Sequence, residues 1–174
     1  MRRERLTPLV VMTPKSMLRA EASRSAIEEL VGGAFQPVLD DLDADPASVR
    51  RIIMASGKVA HEAIARRREL ASSGSPAATT TAIVRVEQLY PWPDEQIEAV
   101  IGRYGSATEL VWLQEEPKNM GAWPFVHHQF HRELRDRVTL RHVARAESAS
   151  PATGSGLVHR AEQEDLLERA FAGL

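Results

Sequence analysis

The chain is expected to fold as an α/β protein whose mostly parallel sheet is covered on both faces. Five short apolar runs rich in β-branched residues recur along its 174 residues, at Leu9–Met12, Ile52–Ala55, Ala82–Val86, Leu110–Leu113 and Val138–Val143. Segments of helical period separate them. Strands alternating with helices of about a dozen residues imply crossover connections, which favour a parallel sheet. The length suits one domain spanning residues 1–174 with a single sizeable core.

Taken in order, Leu9–Met12 reads as the first strand, and a helical stretch follows around Ser25–Val31. The aspartate-rich stretch Asp40–Asp45 reads as a solvated acidic loop, because it lacks the glycine and distal glutamate of a calcium-binding loop. Ile52–Ala55 is the second strand, and Val59–Leu70 a helix made polar on one side by Arg66-Arg67-Arg68. Residues 71–81 carry Ser-Ser-Gly-Ser-Pro and three threonines without apolar period, the pattern of a flexible internal loop.

After the third run, Pro93–Tyr104 gives the clearest helix. Pro93 stands in the first turn, Asp94 and Glu95 lie near the positive helix end, and Ile97, Val100, Ile101 and Tyr104 share one face. Phe125–Leu134 and Leu157–Phe171 are further helices, the latter with Leu166, Leu167, Ala170 and Phe171 as its apolar stripe. No internal repeat is evident.

Composition narrows the function classes. With 43% hydrophobic residues, 26% charged and a net charge of −2, the chain has no basic tail for nucleic acid. Absence of cysteine excludes disulfides, a thiolate nucleophile and thiolate metal sites, and is compatible with the cytoplasm. The apolar stretch after Pro8 is too short for a signal peptide, and no run approaches the roughly 20 residues that span a bilayer. A cytoplasmic protein without membrane contact is expected.

Ligands of open α/β sheets sit beyond the carboxyl ends of the strands. Those ends are polar here: Thr13-Pro14-Lys15-Ser16, Ser56-Gly57-Lys58, Glu87-Gln88 and Gln114-Glu115-Glu116-Pro117-Lys118-Asn119. Such a rim suits an anionic, hydrogen-bonding ligand such as a nucleotide, or equally an interdomain or dimer contact. Ser56-Gly57-Lys58 is not a P-loop, since position 52 is Ile where the earlier glycine is required. Gly57 permits either a tight strand-to-helix turn alone or one whose helix amides hold a phosphate.

His127 and His131 have helical i, i+4 spacing, but no glutamate follows the first as in a metalloprotease, so His127, His128 and His131 read as surface or interface residues and no metal site is expected. His159 follows the loop Ser148–Ser155, which either touches a substrate or caps the last helix. No Gly-x-Ser-x-Gly elbow or Ser/His/Asp order marks a hydrolase.

Four ordered segments carry a family resemblance: Pro8–Arg19, Arg85–Pro93, Trp112–Pro124, and Ser148–Ser155 followed by His159 and Glu162-Gln163. In that order and spacing they resemble the last domain of 2-oxoglutarate dehydrogenase first (E1) components, including actinobacterial multifunctional forms. The resemblance implies a transketolase carboxyl-terminal-domain-like fold, a three-layer α/β/α sandwich around a five-stranded, mostly parallel sheet. It places thiamine diphosphate and magnesium between earlier domains of the whole enzyme, so this chain is expected to hold no cofactor and no catalytic residue. Ala144 and Ala146 flank Arg145 where the family usually has Gly and Pro, and Arg2-Arg3-Glu4-Arg5 stands in place of its arginine-rich lead-in helix.

The implied role is assembly, with possible effector binding, inside an enzyme that decarboxylates 2-oxoglutarate and passes the succinyl group to a lipoyl arm. Implied partners are the upstream E1 domains, a homodimer partner, the E2 succinyltransferase, and an acetyl-CoA or AMP effector. Lys15, Arg19, Arg85 and Gln88 are the expected effector contacts, with the alternative that the cations pair with Glu87, Glu115 and Glu116. Trp112, Met120 and Trp123 are the expected interface residues, being large apolar groups beside charges. Two rival readings are a free-standing nucleotide- or acetyl-CoA-binding regulatory module and an inert fragment of a split gene.

Overall fold

The computed structural model describes residues 8, 10–133 and 137–173. The chain divides into two units, one ending at Ala34 and the other beginning at Phe35. In the first unit two 3-10 turns, Lys15–Arg19 and Glu21–Ser23, precede a short helix α1, Ile27–Gly32. The Glu29 carboxylate accepts a hydrogen bond from the Ala26 backbone N–H at 3.1 Å, satisfying an otherwise free amide at the start of α1. Residues 10–14 form no strand, which corrects the first strand expected from the sequence; Leu9 and Arg2–Arg5 lie outside the described residues.

In the second unit the sheet has five strands: β1 (Val38–Leu39), β2 (Arg51–Ala55), β3 (Thr81–Val86), β4 (Glu109–Pro117) and β5 (Thr139–Arg145). They lie in the order β1-β3-β2-β4-β5. Only the two-residue edge strand β1 is antiparallel, pairing Val38 with Val86, and the other pairings are parallel. The central strands carry continuous apolar runs, Ile52–Ala55, Ala82–Val84 and Leu110–Leu113, because both faces are covered there. β2, Arg-Ile-Ile-Met-Ala, is buried at every position.

Alternate residues feed two cores. Ile52, Met54, Val84, Leu110 and Trp112 pack on one face against Ile97 and Ile101 of α4 (Asp94–Arg103) and Val126 and Phe130 of α5 (Trp123–Glu133). Ile53, Ala55, Ile83, Val111 and Leu113 pack on the other against Val59, Ala60 and Ala63 of α2 (Lys58–Ser72) and Leu166, Ala170 and Phe171 of α6 (Gly156–Phe171). Period-2 alternation in the strands thus meets the apolar stripes of two helix pairs, which makes the three-layer α/β/α sandwich. Within the stretch expected as a loop, Ala77–Thr80 form a further short helix, α3.

Two buried arginines fasten this frame. The Arg51 guanidinium, 3% exposed, donates to the Ala170 and Ala172 carbonyls, each at 2.9 Å, and to the Glu109 carboxylate, so it ties the start of β2 to the end of α6. Arg67 turns inward from the basic run on α2 to the carboxylate of Asp41, which also accepts from the Ile83 N–H at 2.8 Å. Asp40 accepts from the Tyr104 hydroxyl at 2.6 Å and pairs with Arg103. The expectation of a wholly solvated acidic loop at Asp40–Asp45 is therefore corrected: Asp41 is buried and carries structure.

Candidate functional site

The carboxyl ends of β2, β3, β4 and β5 share one polar rim because parallel strands all end on the same side. At the first of these ends Gly57 adopts φ 73°, ψ −147°, open to glycine alone, and turns the chain into α2. Lys58 then begins the helix with its ammonium 2.7 Å from Glu62 and 3.2 Å from Glu115 of β4. Partial burial opposes its charge, but the hydrogen bond to Glu62 and the charge of Glu115 prevail and hold its pKa above the ordinary lysine value.

From Glu62 the network runs on to the last helix. Gln163 donates to Glu62 at 2.5 Å and accepts from Arg145 of β5 at 2.9 Å. The same Arg145 nitrogen lies 2.9 Å from His159 Nδ1, and its Nε stands 3.4 Å from Glu162. On the other side Arg85 of β3 meets His61 of α2 at 3.2 Å and Glu87 at 3.7 Å. Burial, then the Arg85 charge, pull the His61 pKa below the usual imidazole value, so the ring favours its neutral form.

Beside the Arg145 end an open cleft of about 560 Å³ is lined by Lys118, His142, Arg145, Glu147, Glu162 and Arg169, among others. These charges are largely paired: Lys118 with Glu147 at 4.0 Å, Arg145 with Glu162, and Arg169 with Asp165 at 2.7 Å. Such an arrangement holds positions and can exchange partners with an anion; it brings no nucleophile next to a base.

The segment after β4 is built around Gln114, which is 4% exposed. Its carbonyl accepts from the Trp123 backbone N–H at 2.9 Å and Trp112 Nε1 at 3.2 Å, and its amide donates to the Met120 and Pro117 carbonyls at 2.8 and 3.1 Å. Gln114 thus faces inward as a pin for the turn and does not join the rim. Gly121, at φ 67°, completes that turn, where a Cβ would come within 3.0 Å of Glu116. Trp123 stacks on His142 with ring centroids 4.4 Å apart and touches His127 at 4.9 Å.

The expected site residues fall as follows. Arg85 is at the rim, held by His61 and Glu87, while Gln88 lies past the strand end and donates to the Pro91 carbonyl at 2.7 Å, just after the cis Tyr90–Pro91 bond. Lys15 and Arg19 are exposed in the 3-10 turn of the first unit. Trp112 is 1% exposed and committed to the core, whereas Met120 and Trp123 are half-buried. The loop before α6 ends in a cap, since the Ser155 hydroxyl accepts from the Val158 N–H.

Sequence reasoning did not single out Glu62, His61 or Gln163 as rim residues. Lys58 and Glu62 carried a signal in their i, i+4 spacing. Gln163 and Arg145 meet only because α6 packs along β5.

The family model described as 2-oxoglutarate dehydrogenase C-terminal matches residues 24–171. The chain is 44% identical over 168 residues to the 2-oxoglutarate dehydrogenase E1 component of Cupriavidus necator, covering 96% of this chain and 17% of the relative. It is 39% identical over 166 residues to that of Haemophilus influenzae, covering 95% and 17%, and 39% identical over 173 residues to that of a Geobacillus species, covering 98% and 18%. The chain therefore spans less than a fifth of these relatives, and it belongs to the 2-oxoglutarate dehydrogenase C-terminal family.

Proposed function

We propose that this chain serves as the carboxyl-terminal assembly and regulatory domain of a thiamine-diphosphate-dependent 2-oxoglutarate dehydrogenase E1, and that it does not catalyse the reaction alone. The observation that carries the reading is the asymmetry of the match, 96% of this chain against 17% of an E1 relative. The chemistry of such a relative then falls mostly to the segments that this chain does not contain. Thiamine diphosphate with magnesium would supply the electron sink for decarboxylation when bound. Among the described residues no three carboxylate or imidazole groups converge as a magnesium donor set would, so no step of that chemistry is assigned to them.

What the rim supports is binding. A lysine and an arginine at adjacent strand ends, each balanced by carboxylates, suit an anionic effector that exchanges those partners for its phosphates. In this proposal an adenine nucleotide or acetyl-CoA is the effector, with Arg85, beside Lys58, as its contact at the rim of the second unit. Met120 and Trp123 then face the homodimer partner or the E2 succinyltransferase.

The test is a chimera in which this chain replaces the matching segment of the Cupriavidus necator E1 component. The chimera is expected to turn over 2-oxoglutarate, and the same relative lacking the segment is expected to be inactive. A well-folded chimera without turnover, or a truncated relative with full turnover, overturns the proposal.

A further inference from the structure

Among its described residues the first unit shows no core of its own. Val10, Met12, Leu18, Ile27, Leu30 and Val31 are between 69 and 91% exposed, and neither the two 3-10 turns nor α1 contains a buried residue. Scattered single apolar residues on a surface are ordinary, but a unit whose described large aliphatic side chains are this open is not. Its pieces are also too short to stand alone, since isolated helices below about a dozen residues are marginal in water.

These side chains are arranged as a contact surface. On α1, Ile27, Leu30 and Val31 stand at i, i+3 and i+4 and share one face, with Glu28 and Glu29 between them on the other. Lys15, Arg19 and Arg24 offset Glu21, Glu28 and Glu29, three charges against three, so the segment carries no net charge to draw it to an anionic membrane or to nucleic acid. An apolar face with a balanced polar edge is the composition of a protein–protein contact.

We infer that the apolar face of residues 10–31 docks on the upstream region of the E1 polypeptide, in an apolar groove that orders this segment. The occupant follows from length: the relatives match this chain over 95 to 98% of its residues, first unit included, while about four-fifths of their own sequence lies outside the match. The inference rests on the proposed E1 reading and names where the two parts meet.

The test co-expresses the 174-residue chain with the upstream region of the Cupriavidus necator relative and reads association by size-exclusion chromatography with light scattering. Wild type is expected to co-elute, and Ile27→Asp/Leu30→Asp and Val10→Asp/Met12→Asp are expected to weaken association at least tenfold. Urea unfolding of the second unit, followed through the fluorescence of its tryptophans Trp92, Trp112 and Trp123, should stay unchanged in both variants and so excludes misfolding as the cause. Co-elution undiminished by the charges overturns this inference while leaving the E1 reading intact. Failure of wild type to associate overturns both. Two further outcomes also overturn it: concentration-dependent self-association lost in the variants assigns the face to a second copy, and hydrogen-exchange protection of residues 10–31 in the lone chain assigns it to the second unit.

Discussion

The side-chain carbonyl of Gln114 accepts the backbone N–H of Trp123 at 2.9 Å, across nine residues and a glycine turn. With the Met120 and Pro117 carbonyls on its amide and the Trp112 indole on its oxygen, one buried amide satisfies four other groups. Gln114→Leu fills the space but leaves the Trp123 N–H, the Trp112 indole and the Met120 carbonyl without this partner, at about 1–3 kcal/mol for each that stays buried and dry, while the Pro117 carbonyl keeps the Met120 N–H at 2.8 Å. A loss of roughly 3 kcal/mol in urea unfolding is expected after partial relaxation. Gln114→Glu retains the acceptors, loses both donors and buries a charge, so it should be at least as damaging at neutral pH and recover toward acid, where a protonated carboxyl regains one donor.

Asp41 and Arg67 form a buried ion pair that joins the loop after β1 to α2 and to the β3 backbone. Removing one member strands the other charge, so Asp41→Ala or Arg67→Ala should each cost about 3–5 kcal/mol. In a double-mutant cycle the combined loss should fall well short of the sum. Additive losses would show that the pair does not act as a unit.

Gly57→Ala tests the turn into α2. No atom lies within 4 Å of an added Cβ, so the cost comes from the backbone angle alone and should be about 1–3 kcal/mol. An unchanged urea midpoint would show that the turn relaxes without loss.

Stability should fall as pH drops below about 6.5, the ordinary histidine value. The His142 pKa is lowered by burial first and then by Lys118, His127 and Arg169, and that of His61 by burial and Arg85. A group with a depressed folded pKa binds protons more readily in the unfolded chain. Its contribution is complete above the unfolded value and is lost as pH falls through the folded one. His142→Phe, which keeps a ring against Trp123, should flatten part of that slope in urea titrations between pH 7.5 and 5, read at roughly half-unit steps.

The central sheet was legible because its strands are continuous apolar runs with β-branched residues, and Ile52–Ala55 and Ala82–Val86 lie inside the strands that form. The edge strand Val38–Leu39 was not, since two residues cannot display a period, and the apolar run ending at Met12 took its place in the expectation. At the rim, Lys58 and Glu115 followed from the strand-end rule. The inward turn of Arg67 and Gln114 did not, because both are polar residues whose partners come from distant segments, and local pattern assigns such residues to the surface.

Arg51 gives the domain a late closing step. Its carbonyl partners at Ala170 and Ala172 lie 119 and 121 residues downstream, so on a translating ribosome the guanidinium emerges long before the groups that satisfy it. Until α6 is released, the α6-facing part of one core is uncovered and a cation at the head of β2 has only the Glu109 carboxylate to pair with. Folding of the second unit is then expected to complete only after nearly the whole domain has cleared the exit tunnel, with chaperones seeing an α2-sided sheet in the interval.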